Sequence, residues 1–243
     1  LRDALEATFR PPAAIVVRAD LAFESDIPLE IARDVDIMGE CGDGTPYGTR
    51  PCDLRRTTGT GPAFLIRGGA EVDITGLNFD GFETWKKRCE NYEIFANDPQ
   101  LCDEDGFRVG DKARLGSGGA LHISEGAQVR LDTCTFKFAY ATDDGGAVYV
   151  ADKGTDVTFS KCSFLENHAK RGGAVAVRDA RTFFKDCLFS RNSGNDPVRC
   201  PIPALEMTWY GCNAIVLIPE GDAYDLGGND FGTSEYTDWY GTI

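Results

Sequence analysis

Long apolar runs are missing from this chain. No stretch approaches the roughly 18 consecutive apolar residues that a membrane-spanning helix needs, although AVILMFWYC residues make up 42% of its 243 positions. No membrane span is expected. Basic residues are also short: 25 Lys and Arg face 39 Asp and Glu, a formal charge of −14. Such a field repels phosphate backbones and anionic lipid and draws in cations or basic partners, which excludes nucleic acid as a partner. Histidine is limited to His122 and His168, and no Cys-x-x-Cys occurs, so a structural zinc site of the usual kind lacks its ligands. The absence of an Asn-x-Ser/Thr sequon argues against N-glycosylation. A phosphate-cradling glycine loop and a Gly-x-Ser-x-Gly elbow are missing too, which removes the nucleotide-binding and serine-hydrolase classes that use them. The chain opens at Leu1 without Met or a basic and apolar leader. Any signal peptide is therefore expected to have been removed or left out, and the compartment must be read from the cysteines.

Nine cysteines are present, and their contexts sort them into two kinds. Cys41 with Cys52, Cys89 with Cys102, and Cys200 with Cys212 stand 11 to 13 residues apart and bracket polar, Gly- or Pro-containing sequence. They are predicted to be three local disulfides, each closing a loop at a gain of roughly 3 kcal/mol. Cys134, Cys162 and Cys187 each precede a Phe by two positions, as Cys134-Thr-Phe136, Cys162-Ser-Phe164 and Cys187-Leu-Phe189. These are predicted to be free thiols in the core. Disulfides persist in oxidising compartments, so a secreted, cell-surface or other extracytoplasmic location is expected.

Self-similarity organises the rest. Gly118-Gly119-Ala120, Gly145-Gly146-Ala147 and Gly172-Gly173-Ala174 recur every 27 residues, each followed by an alternating run such as Val148-Tyr149-Val150. Alternation marks a strand with one buried face. A second pattern, apolar-x-apolar-x-x-(Cys, Leu or Asn)-x-Phe, occurs at Val72/Ile74/Leu77/Phe79, Val129/Leu131/Cys134/Phe136, Val157/Phe159/Cys162/Phe164, Thr182/Phe184/Cys187/Phe189 and Tyr224/Leu226/Asn229/Phe231. Strands that return in the same direction after each period require parallel coiling rather than hairpins. Equivalent residues then stack at about 4.8 Å, and columns of Cys, of Phe and of Val/Ile/Leu fill the interior. The Gly-Gly pairs are expected at corners, where positive φ or close backbone approach is needed.

The predicted fold is therefore all-β, a parallel β-helix solenoid forming one domain over 1–243. Leu1, Leu5 and Phe9 share a face of a short helix over 1–10, ended by Pro11-Pro12, which suits a cap over exposed strand edges. Inserted disulfide loops are placed at 41–60, 82–112 and 193–212. A C-terminal tail over 232–243 carries Tyr236, Trp239 and Tyr240, aromatics suited to plugging the last coil or meeting a missing partner.

These features resemble the pectin-lyase-like right-handed parallel β-helix superfamily over most of residues 1 to 231. Leu1-Arg2-Asp3-Ala4-Leu5 is similar to the "LREAI" capping segment of secreted β-helix proteins. The Gly-Gly-Ala elements, with Phe164-Leu-Glu-Asn167 and Phe189-Ser-Arg-Asn192, are similar to the repeat of polymorphic outer-membrane proteins and related surface adhesins. The resemblance implies a right-handed coil. It leaves activity open, because the superfamily holds lyases, hydrolases, epimerases, adhesins and structural proteins.

Signature strings of the pectin-degrading members, such as Gly-His-Gly and Arg-Ile-Lys, do not occur. The best catalytic candidates are Asp143 and Asp144, which a 27-residue period stacks beside Lys170 and Arg171, with His168 close by. A uronate lyase or epimerase could use such a group, with carboxylates holding calcium, a cation as base and another neutralising a uronate. The plainer reading is an ordinary surface ion pair across coils. His122 is expected to face outward as a solvated histidine. Asp103, Glu104 and Asp105 are weak calcium candidates, and no other cofactor is expected. The leading expectation is a non-enzymatic rod for adhesion, structure or assembly. It would bind protein or polysaccharide at a cell surface through its inserted loops, with Trp85, Tyr92 and Phe95 as the contact residues, and it is compatible with being one part of a longer protein.

Overall fold

The computed structural model describes residues 13–24, 27–42, 44, 48–84, 116–194, 215–218 and 221–230. Among the described residues the chain is all-β, without a helix, and its strands pair in parallel except at Cys41–Gly42 with Thr49–Arg50. Several expectations fall outside the described residues: the capping helix over 1–10, Trp85, Tyr92, Phe95, Asp103, Glu104 and Asp105, and the tail over 232–243. Two of the three predicted disulfides fall there as well, the one joining Cys89 to Cys102 and the one joining Cys200 to Cys212. Among the described residues the disulfide formed is Cys41 with Cys52.

Four sheets are visited in a fixed order. One pass runs through Gln128–Asp132, Thr135–Lys137, Tyr140–Ala141 and Val148–Ala151. The next runs through Asp156–Ser160, Ser163–Leu165, His168–Ala169 and Val175–Arg178. Each strand of the second pass pairs with its counterpart in the first. Leu131 thus meets Phe159, Phe136 meets Phe164, and Val148 meets Val175. The four sheets are called first to fourth in this order of visiting.

In-register pairing turns the sequence period into columns. Phe79, Phe136, Phe164 and Phe189 stack with ring centroids 4.9, 5.0 and 4.7 Å apart and near-parallel planes. A second column, Phe159 on Phe184 at 5.0 Å, meets the first edge to face. All six rings are fully buried. Each contributes about 2–3 kcal/mol by leaving water, and offset contacts between rings add to that.

The (Cys, Leu or Asn) position lies between the first and second sheets, and its polar residues share a task. The thiols of Cys134, Cys162 and Cys187 donate to the carbonyls of Ile74, Leu131 and Phe159, one pass back. Asn229 does the same with its amide, Nδ2 to the Phe184 carbonyl at 3.0 Å. All four acceptors sit in one column of the first sheet. Each of these side chains thereby supplies a hydrogen-bond donor to a corner carbonyl. These three cysteines are free and buried, as their context predicted. For Cys162 and Cys187 the neighbouring thiol, together with burial, pushes the pKa far above the usual thiol range. Cys52 belongs to the same column, facing Leu77, but is bonded to Cys41 with Cα atoms 5.1 Å apart.

The Gly-Gly pairs stand at corners as expected, and the bends into the second and third sheets use Gly76 and Gly81 in one pass but other residues in the three passes that follow. Thr133, Lys161 and Asp186, between the first and second sheets, hold φ of 54°, 51° and 53°. Phe138, Glu166 and Arg191, between the second and third, hold 53°, 53° and 55°. Asparagine supports the second set. Asn167 and Asn192 donate to the carbonyls of Phe136 and Phe164, and Asn192 Oδ1 accepts from both the backbone and side chain of Asn167. The corner between the third and fourth sheets is the one that needs its Gly-Gly pair. Gly145 has φ 65°, and a Cβ on Gly146 would lie 2.0 Å from the Gly173 carbonyl oxygen. One glycine serves conformation and the other serves close approach.

Thr133 is β-branched in a left-handed conformation that costs such residues about 1–2 kcal/mol. Thr133→Gly is therefore expected to raise the unfolding free energy by up to about 1 kcal/mol, seen as a higher denaturant midpoint. The same change at Thr135, inside a strand, should lower it by a similar amount. Equal losses at both positions in urea unfolding would contradict this assignment of strain.

Candidate functional site

The run Asp143-Asp144-Gly145-Gly146 links the third sheet to the fourth, and Lys170-Arg171-Gly172-Gly173 occupies the same place one pass later. Asp144 and Arg171 form a parallel bridge. The Gly145 amide donates to the Arg171 carbonyl at 2.9 Å, and the Arg171 amide donates to the Asp143 carbonyl at 3.0 Å. This backbone ladder aims the two side chains at each other. Arg171 donates from Nε to Asp144 Oδ1 at 2.5 Å and from Nη2 to Oδ2 at 2.7 Å. Such a fork is geometrically matched to a carboxylate. A second guanidinium, Arg178, reaches Oδ2 at 3.5 Å.

The pair is not an exposed one. Asp144 is 2% exposed, and the side chain of Arg171 is 16% exposed. Ser117 adds a hydrogen bond, accepting from the Asp144 amide through Oγ at 3.3 Å. The 27-residue period made Asp144 and Arg171 legible as partners. Arg178 was not, because it stands 34 residues from Asp144, at the far end of the following strand.

Behind this ion triad lies an outward-facing column of the fourth sheet that is nevertheless buried in part. Tyr149 is 7% exposed and Ala176 fully buried, so the sheet is covered on both faces at these two strands, while Glu30 in the same column is exposed. Arg178 sits over the Tyr149 ring at 5.8 Å, and His122 packs against Tyr149 with ring centroids 5.0 Å apart. Burial raises the Tyr149 pKa above its ordinary value. His122 was expected to be solvated, and that expectation fails. Its Nδ1 is buried without a hydrogen-bond partner. Burial lowers its pKa to about 4, although the nearby Ser117 backbone favours the protonated form.

His168 belongs to a different face. It points out from the third sheet in the column Glu83, Tyr140, His168, Ser193. Its ring stacks on Tyr140 at 5.3 Å, and Nδ1 shares a 2.7 Å hydrogen bond with Ser193 Oγ. Partial burial lowers its pKa. Lys170 is exposed two residues further on, across the buried Ala169, and makes no ion pair among the described residues. The structure thus joins Asp144 to Arg171 and sets Lys170 and His168 apart from them. Among the described residues no three His, Cys, Asp or Glu side chains surround a common cation position.

In comparison with known proteins, no protein-family model matches the chain, and no curated protein matches it. The Cys41–Cys52 disulfide points to an oxidising environment. No helix among the described residues is long and apolar enough to cross a membrane.

Breaking a buried pair strands a charge, so Asp144→Asn is expected to cost about 3 kcal/mol in unfolding experiments. Removing the exposed partner in Arg181→Ala, which pairs with Asp156, should cost less than about 1 kcal/mol. Comparable losses would mean that burial is not what matters here.

The His122 shift has a definite sign. In the unfolded chain the imidazole takes a proton near its ordinary value, whereas in the folded chain it does so only near 4. Stability should therefore fall as pH drops from about 6.5 to about 4, by on the order of 3 kcal/mol. His122→Gln should lack this component when the two proteins are unfolded in parallel across that range.

Proposed function

We propose that the chain is a right-handed parallel β-helix acting as a non-enzymatic extracytoplasmic rod, one that presents its inserted segments to a protein or glycan partner. Right-handedness follows from chain chirality, since crossovers between parallel strands of one sheet take that hand in about 98% of cases. The observation that carries the reading is the Asp144 carboxylate. The acid best placed for chemistry has its two oxygens engaged by two guanidiniums in a buried setting, leaving it little capacity to hold calcium or take a proton. The regular columns support the same reading, because a uniform interior makes a stiff support for segments whose binding then loses less entropy. The disulfide is in keeping with an extracytoplasmic site.

A second reading, a uronate lyase or epimerase, draws on a specific feature: the exposed Lys170 beside the His168 and Ser193 pair on the outer face of the third sheet. In that case a base and a neutralising cation would stand on one open surface. As a third arrangement, the rod would be a subunit of a larger assembly.

Anionic polysaccharides, offered with and without calcium, separate the readings. The rod reading expects no turnover on any of them. It also expects glycan or protein binding that is lost when the segment 85–115 is replaced by a short linker and kept in Lys170→Ala. Turnover abolished by Lys170→Ala or His168→Ala in folded protein would overturn it in favour of the enzyme. Size-exclusion chromatography of the intact chain reports on assembly.

A further inference from the structure

The thiol column has a property that its structural task does not use. Cys134, Cys162 and Cys187 precede by one residue the paired Thr135, Ser163 and Leu188, so they occupy the same place on three adjacent strands. Each makes the same two contacts. One is to the carbonyl one pass back, at 3.7, 3.5 and 3.5 Å, and the other is to the carbonyl two residues earlier, at 3.4 Å each. Identical contacts mean identical rotamers. The sulfurs therefore repeat with the strand spacing, about 4.8 Å. Cys162, the middle of the three, therefore has a thiol neighbour on each side. All three are 1% exposed and none is oxidised.

We propose that an adjacent pair of these thiols, Cys134 with Cys162 or Cys162 with Cys187, binds one soft monovalent d10 cation, Cu(I) or its stand-in Ag(I), in two-coordinate geometry. A metal–sulfur bond of about 2.3 Å puts two sulfurs about 4.6 Å apart when the cation lies on the line between them, close to the strand repeat. Side chains that project inward, across the stacking direction, present their lone pairs along that line. Zinc is not suited, since it needs four ligands and no third acidic, thiol or imidazole group converges here among the described residues. Thiol and thiolate softness selects the monovalent ion over hard cations.

Charge selects the protonation state of the site. Two thiolates and one monovalent cation would leave a negative charge in the core, which the surrounding Phe rings cannot solvate. One thiolate and one retained thiol give a neutral unit. Binding therefore exchanges one proton for one cation: M⁺ plus two thiols yields a thiolate–metal–thiol unit and one H⁺. No oxidant or reductant is needed.

The column makes a distinctive prediction, because Cys162 is shared by both pairs while the outer cysteines are interchangeable. Accessible thiols of the native chain are first alkylated, and Ag(I) is then added to equilibrium. Uptake is followed by native mass spectrometry, by ultraviolet charge-transfer absorption and by proton release. Cys134→Ala and Cys187→Ala are expected to bind as many Ag(I) as the parent. Cys162→Ala should bind one fewer and lose the absorption, since its two remaining sulfurs are two strands apart. The double variant Cys134→Ala/Cys187→Ala, which keeps the central thiol without either partner, should behave like Cys162→Ala and serves if that variant does not fold. Equal loss in all three single variants would overturn the proposal. So would unchanged binding in Cys162→Ala, or release of two protons per cation.

Discussion

Parallel pairing in strict register is the constraint on which everything else rests. Once a strand lies beside its counterpart from the previous pass, every side chain has its homologue about 4.8 Å away, and a residue is favoured to the extent that it packs on a copy of itself. Phenylalanine meets this demand through offset stacking, asparagine through amide-to-carbonyl bonds, and cysteine through a thiol small enough to sit at a corner and still donate. Charge cannot follow the same rule, because like charges one strand apart repel. Opposite charges accordingly meet in several outer columns, as in Arg55, Asp80 and Lys137 or Asp156 and Arg181, although Asp36 stands beside Asp73.

The corners show how the register is kept while pass lengths vary. Left-handed residues recur at matching places whether or not they are glycine, so where they are not the bend is imposed by the strands on either side and stabilised by the donors beneath it. The Gly-Gly corner differs because it is crowded: backbone oxygen occupies the space where a side chain would begin. That crowding brings the Asp144 and Arg171 backbones into a bridge, and the ion pair follows from it. The same geometry that could have gathered a catalytic group instead consumes its carboxylate.

The fourth sheet adds a different kind of environment. Its outward column holds the buried Tyr149 beside the half-buried His122, whose Nδ1 is buried without a hydrogen-bond partner. Arg178 links this buried layer to the ion triad, through one contact to the Tyr149 ring and one to Asp144. Charge, aromatic surface and an imidazole held in its neutral form thus meet within one region, by virtue of a cover that a strand's own alternation does not reveal.

Repetition was readable in the residues alone, because a fixed spacing of Gly-Gly-Ala and of Cys-x-Phe can satisfy burial only if equivalent positions stack. That spacing determined the all-β class, the Phe column, the separation of Cys134, Cys162 and Cys187 from Cys41 and Cys52, and the juxtaposition of Asp144 with Arg171. Tertiary structure alone decided what lies off the period. Arg178 joins Asp144 across an interval the repeat does not contain, Cys52 falls into the thiol column behind the spacer Leu77, and His122 has its Nδ1 buried on the face where alternation places solvent. The physical reason is common to all three. A period states which residues are neighbours along the stack, whereas burial and electrostatic pairing across faces depend on distances that no local pattern encodes.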